Sequence, residues 1–215
     1  MSAPDPSPAA RGADSATRRP GGRTARTRAV VLDAALEELA TSDDGDLTLD
    51  RIATRAGVPR STIYRRWGGL DGVLLEAIAT FATDQARVPD TGRVEDDLRL
   101  WARSVHHTLT DPVSGRAVAA LLGRASTRTA ALRHRFWSVR SALVRPVVQR
   151  AVERGQLPDG TDADDVIRHV GAPLYYSLFV LGEPITPATA DLAAAATAAA
   201  AHAGVFVRPA GALPA

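Results

Sequence analysis

The sequence has no cysteine and no lysine in 215 residues. Without cysteine there is no thiol nucleophile, no thiolate metal site and no disulfide framework, a composition compatible with a reducing cytoplasm. The missing lysine means that all 26 basic side chains are arginine, which in an alanine-rich chain reflects coding bias before any mechanism. No apolar run approaches the roughly 20 residues of a membrane span. The opening MSAPDPSPAARGADSATRRPGGR has no apolar core of the kind a secretion signal carries. The expectation is a cytoplasmic protein with no membrane partner. Catalytic signatures are missing too: there is no phosphate-cradling glycine motif, no Gly-x-Ser-x-Gly elbow and no zinc signature. No histidine pair stands at helical ligand spacing with a carboxylate beside it. These absences argue against an enzyme, a cofactor and a metal.

What is present is unevenly placed. Net charge is only +2, yet Arg51, Arg55, Arg60, Arg65 and Arg66 fall in one stretch that has no carboxylate between Arg51 and Trp67. The first 28 residues add six arginines against Asp5 and Asp14. Basic charge gathered this way is the footprint of phosphate neutralisation. Residues 1–25, rich in Ala, Pro, Ser, Gly and Arg without apolar periodicity, read as a disordered arm, either a soluble tail or a segment entering a minor groove.

From Arg26 onward the pattern is helical. Leu32, Ala35, Leu36 and Leu39 mark one helix. Thr48 caps a second, with Leu49, Ile52, Ala53 and Ala56 inward, and Gly57 supplies its left-handed stop. RSTIYRRW forms a third, with Ile63 and Trp67 as its inward contacts, and GGLDGVLLEAIATFATDQA a fourth. Behind a linker at 88–92, VEDDLRLWARSVHHTLT is amphipathic through Val94, Leu98, Trp101, Val105 and Leu109. Further helical stretches follow, one with Pro146 as a kink or boundary. No segment alternates with period two, so the expected fold is all-α: a helix-turn-helix domain over 26–87 and a helical regulatory and dimerisation domain over 93–207.

TLDRIATRAGVPRSTIYRRW has the parts of a helix-turn-helix: a positioning helix, a glycine turn, a small Ala56 at the crossing, and a second helix with a polar outer face. Arg60, Ser61, Thr62, Tyr64 and Arg65 are the donors on that face, and Arg60 is the first choice for bidentate readout of guanine. With AVVLDAALEELA before it and LLEAI after it, this stretch resembles the N-terminal domain of the tetracycline-repressor-like (TetR) family. The resemblance implies about nine helices, a homodimer on a near-palindromic double-stranded operator, a small-molecule effector, and phosphate contacts through Thr48, Tyr64 and Trp67. It also implies ligand-released repression. The alternative is a ligand-binding protein of the same fold with reduced DNA affinity. Two departures stand out. Pro59 occupies the usual capping serine position, and Gly68, Gly69, Leu70 and Asp71 replace the family's Pro-Ser-Lys-Glu. Arg65, Arg66 and the arginine-rich arm are the substitutes at hand for the missing lysine.

GAPLYYSLFVLGEPITPATADLAAAATAAAAHAG resembles the last helix pair of many family members, which pairs with its two-fold mate. Leu174, Leu178, Leu181 and Leu192 are the expected anchors. An effector pocket among the central helices takes Trp101, Val105, Phe136, Trp137, Tyr175, Tyr176 and Phe179 as lining, with Arg124, His106, His134 and His169 as polar groups that could orient a ligand.

Overall fold

The computed structural model describes residues 21–42, 46–86, 90–123 and 125–208. Most of the arginine-rich arm and Arg124 lie outside these residues. The described chain is all-α: α1 (Gly21–Thr41), α2 (Leu49–Ala56), α3 (Arg60–Trp67), α4 (Leu70–Asp84), α5 (Val94–Thr110), α6 (Pro112–Gly123), α7 (Thr127–Glu153), α8 (Ala163–Tyr175) and α9 (Pro187–His202). Between α8 and α9 the helix widens into a π turn, Tyr176–Leu181. One isolated bridge, Thr161 to Val207, is the sole β pairing among the described residues.

Two boundaries differ from the sequence reading. α1 begins at Gly21, so residues 21–25 belong to the helix and not to the arm. Gly22, Thr24 and Ala25 are exposed, so this turn carries no apolar stripe by which periodicity could reveal it. Pro146 neither ends nor divides α7, which runs through it over 27 residues.

The elements follow from local chemistry. Thr48 accepts a hydrogen bond from the Arg51 amide at 3.3 Å and so caps α2. Gly57, at φ 63° and ψ 33°, lets its own N–H and that of Val58 return to the carbonyls of Thr54 and Ala53. Ser126 and Thr186 form reciprocal capping boxes with Thr129 and Thr189 at the starts of α7 and α9. A continuous core joins the front and rear of the molecule. α1 packs on α2, α4 and α6, α4 on α7, and α9 on α5 and α8.

Candidate functional site: a nucleic-acid interface and an aromatic cavity

The reading helix α3 is anchored by a single fully buried side chain, Ile63. Around that pivot Arg60, Ser61, Tyr64, Arg65 and Arg66 are exposed, and Thr62 is half-buried. Tyr64 is 61% exposed, a large amphipathic ring left in water by an eight-residue helix, as a groove-facing residue should be. Pro59 stands at the N-cap with no side-chain bond to offer, so the first amides of α3 are not covered by a serine hydroxyl. The C-terminal end turns on Gly68 and Gly69, both at positive φ (73° and 143°), a conformation that L side chains avoid.

Three of the five clustered arginines are already engaged. Glu38 of α1, 3% exposed, takes Arg51 Nε at 2.8 Å, Arg55 Nε at 2.7 Å and the Ser42 hydroxyl at 2.7 Å. Burial works to raise this carboxyl, but the bonds from Ser42, Arg55 and Arg51 outweigh it and hold the pKa down at about 2. Arg60 pairs with Asp50 of α2 at 3.0 Å, both side chains well exposed. Arg65 and Arg66 have no carboxylate partner among the described residues, Arg66 instead lying 5.2 Å over the Trp67 ring. The run that looked carboxylate-free in sequence is therefore partly neutralised from α1 and α2, and the free cations sit at the end of α3.

Trp67 is half-buried, and its indole N–H donates to Glu76 Oε2 at 2.6 Å. Arg28 Nε reaches the other oxygen of Glu76 at 2.5 Å, tying α1, α3 and α4 together. The donor that the resemblance offered for phosphate at Trp67 is thus spent internally. Leu70, where the family's lysine would stand, packs partly buried against the core, and Asp71 is held by Arg128 of α7 at 2.6 Å.

A second feature lies in the rear half. A cavity of about 330 Å³ is walled mainly by α5, α7 and α8, with Leu122 of α6 at one side and Trp101, Val105, Trp137 and Tyr175 among its lining. Of the expected residues, Phe136 stands behind this wall, edge-on to Trp137 with ring centroids 5.1 Å apart. Phe179 touches Tyr175 from outside at 6.2 Å and is 37% exposed. His106, His134 and His169 do not line it. The polar lining that sequence reasoning missed is Arg140, Ser141, Asp164 and Arg168. Arg140 was detectable: on α7 it interrupts the inward series Leu132, Phe136, Val144, Val148 at four-residue spacing.

The expected interface leucines divide. Leu174 is fully buried in its own chain and cannot meet a partner, because the turn of α8 that carries it faces the core. Leu178 is half-buried, while Leu181 and Leu192 are 50% and 71% exposed.

Residues 31–77 match the profile "Bacterial regulatory proteins, tetR family", and residues 88–197 match "Tetracyclin repressor-like, C-terminal domain". The HTH-type transcriptional regulator YdeS of Bacillus subtilis is 27% identical over 74% of this chain and 81% of its own length. The regulator AqdR of Rhodococcus erythropolis is 26% identical over 76% and 79%. The crystal structure of the TetR family regulator SCO0332 superposes with a TM-score of 0.63 at 28% identity, covering 86% of this chain and all of that one. With its reading helix pivoted on Ile63 and its rear helices matched across residues 88–197, the chain belongs to the tetR family of bacterial regulatory proteins, helix-turn-helix regulators of transcription.

Proposed function

We propose that the chain is a homodimeric repressor that holds a near-palindromic operator through paired α3 helices and lets go when a small molecule enters the α5–α7–α8 cavity. The observation that carries this reading is the outer face of α3. Arg60, Ser61, Tyr64 and Arg65 are all exposed on a helix fixed by one buried isoleucine, a spare polar surface that a bundle core would not leave. Residues 26–87 serve as the reading head and 93–207 as the sensing and pairing part.

The pairing surface is the outer face of α9. Leu192, Ala195, Ala196 and Ala199 form an exposed stripe at helical spacing, opposite the buried Ala190, Ala193, Ala194 and Ala198. A helix that is apolar on both sides needs cover on both. Tyr176, Val180 and Leu181 on the π turn add further apolar surface, at 50–66% exposure. A two-fold dimer sets its recognition helices about 34–36 Å apart, one turn of duplex.

Fluorescence anisotropy with labelled DNA from upstream of the chain's own gene tests the reading. Sequence-selective binding that weakens by orders of magnitude between 50 and 200 mM salt is expected. Absence of binding at low salt would sink the repressor and favour a ligand-binding protein of the same fold, with Leu70 in the lysine position and three arginines neutralised as the cause.

A further inference from the structure

Arg140 is 1% exposed, and none of its three guanidinium nitrogens has a hydrogen-bond partner in the chain. Its central carbon lies 4.6 Å over the ring of Trp101 and 5.3 Å from that of Phe136. Aromatic faces thus hold the guanidinium, but they take up none of its in-plane N–H groups. A buried cation left in this state is costly unless something pairs with it.

The other polar groups of the cavity sharpen the requirement. Trp101 Nε1 is a second buried donor without a partner. Burial pushes the Tyr175 phenol up to about 12, with Arg140 working against it, so the hydroxyl keeps its proton at neutral pH. The one carboxylate of the lining is already paired. Asp164 takes the Ser141 hydroxyl at 2.5 Å and Arg145 at 2.7 Å, and Arg168 at the wall is spent on Asp165 at 2.7 Å. The cavity therefore offers donors and one unmatched positive charge, within walls that are otherwise apolar and aromatic.

We infer that the effector is an organic carboxylate with a flat apolar body, its carboxylate received by the Arg140 guanidinium and the Trp101 indole N–H, and its body lying against Trp137 and Tyr175. A carboxylate matches the planar fork of arginine with two parallel bonds, a match that neutral amides and esters lack. The inference deepens the repressor reading and rests on the cavity being the effector site. It places the anchor on α7, the helix that packs on α4 of the reading head.

The test uses the full chain and two matched probes, 2-naphthoate and 2-naphthamide, titrated by calorimetry. The acid should bind at least tenfold more tightly than the amide. Arg140→Met, which keeps the apolar stem and removes the charge, should bring the ratio to within threefold while circular dichroism stays that of the folded protein. Should that variant not fold, Trp101→Phe serves in its place, with a several-fold loss for the acid and little change for the amide. Equal binding of acid and amide, a preference that survives Arg140→Met, or binding of neither probe overturns the inference. Operator release separates the two claims. If the amide releases DNA as readily as the acid, the anion site is lost and the repressor stands. If naphthoate binds through Arg140 and the operator complex is unmoved, the anion site stands and the repressor reading is lost.

Discussion

Phe81 of α4 stacks on Phe136 of α7, ring centroids 5.9 Å apart and planes inclined by 22°. This contact joins the helix that supports the reading head to the helix that bears the cavity. Beyond it the rings continue through Trp137 and Tyr175 to Phe179, at successive spacings of 5.1, 5.2 and 6.2 Å. Phe81→Leu keeps the volume roughly while losing the stack, and should cost about 1 kcal/mol of stability. Its effect on coupling should be larger than its effect on folding. Urea denaturation gives the first quantity, and the ratio of operator affinities with and without effector gives the second. An unchanged ratio would remove Phe81 from the coupling route.

Tyr64 tests the reading face. Tyr64→Ala should weaken operator binding about tenfold, on the order of 1.4 kcal/mol, and shift the melting temperature little, because the ring is 61% exposed. A large fall in melting temperature would show that the ring supports the fold.

Salt dependence separates the free arginines from the engaged ones. Arg65→Ala and Arg66→Ala should each lower the slope of log K against log salt by about one, as expected for a lost phosphate contact. Arg55→Ala should leave that slope alone and destabilise the fold instead, because its guanidinium serves Glu38 and Glu37.

The same carboxylate sets an acid limit. The Glu38 pKa falls from 4.5 to about 2 on folding, so its stabilisation is complete above about pH 4.5 and is lost as pH falls toward 2. The size should be about 2 kcal/mol, reduced from the full shift because Arg51 and Arg55 are 48% and 39% exposed. Melting curves of the native protein and Glu38→Gln should differ most near neutrality and converge at low pH. Parallel curves across the range would contradict the clamp.

Leu192→Glu places a charge on the largest side chain of the exposed α9 stripe. Sedimentation should show the variant as a folded monomer with lost operator affinity, and a dimer of native affinity would move the interface elsewhere.

The parts of this fold that were legible in sequence are local ones. The cap at Thr48, the stop at Gly57 and the stripe Leu49, Ile52, Ala53, Ala56 each follow from residues within a turn or two of one another, and all stand as expected. What the sequence hid depends on contacts between distant residues. Glu38 disarms Arg51 and Arg55 across 13 and 17 positions, and a search for carboxylates within the basic run could not see it. Leu174 and Leu181 have the same chemistry, but the π turn intervenes and changes the helical register, so one faces inward and the other outward. In the cavity the aromatic lining is legible from residue type, whereas Arg140 shows only as a charged residue within an apolar series at four-residue spacing.

The unpaired guanidinium at position 140 also bears on how long the protein lasts. A fold with an unmatched cation at its centre is weakest when nothing neutralises that charge, and whatever binds there stabilises it by mass action. Degradation tracks the population of opened chains, so a cell supplied with a molecule that pairs with Arg140 would accumulate more of this regulator than a starved one at equal rates of synthesis. Pulse-chase turnover would show this as a longer half-life, and the Arg140→Met chain would be long-lived in both conditions.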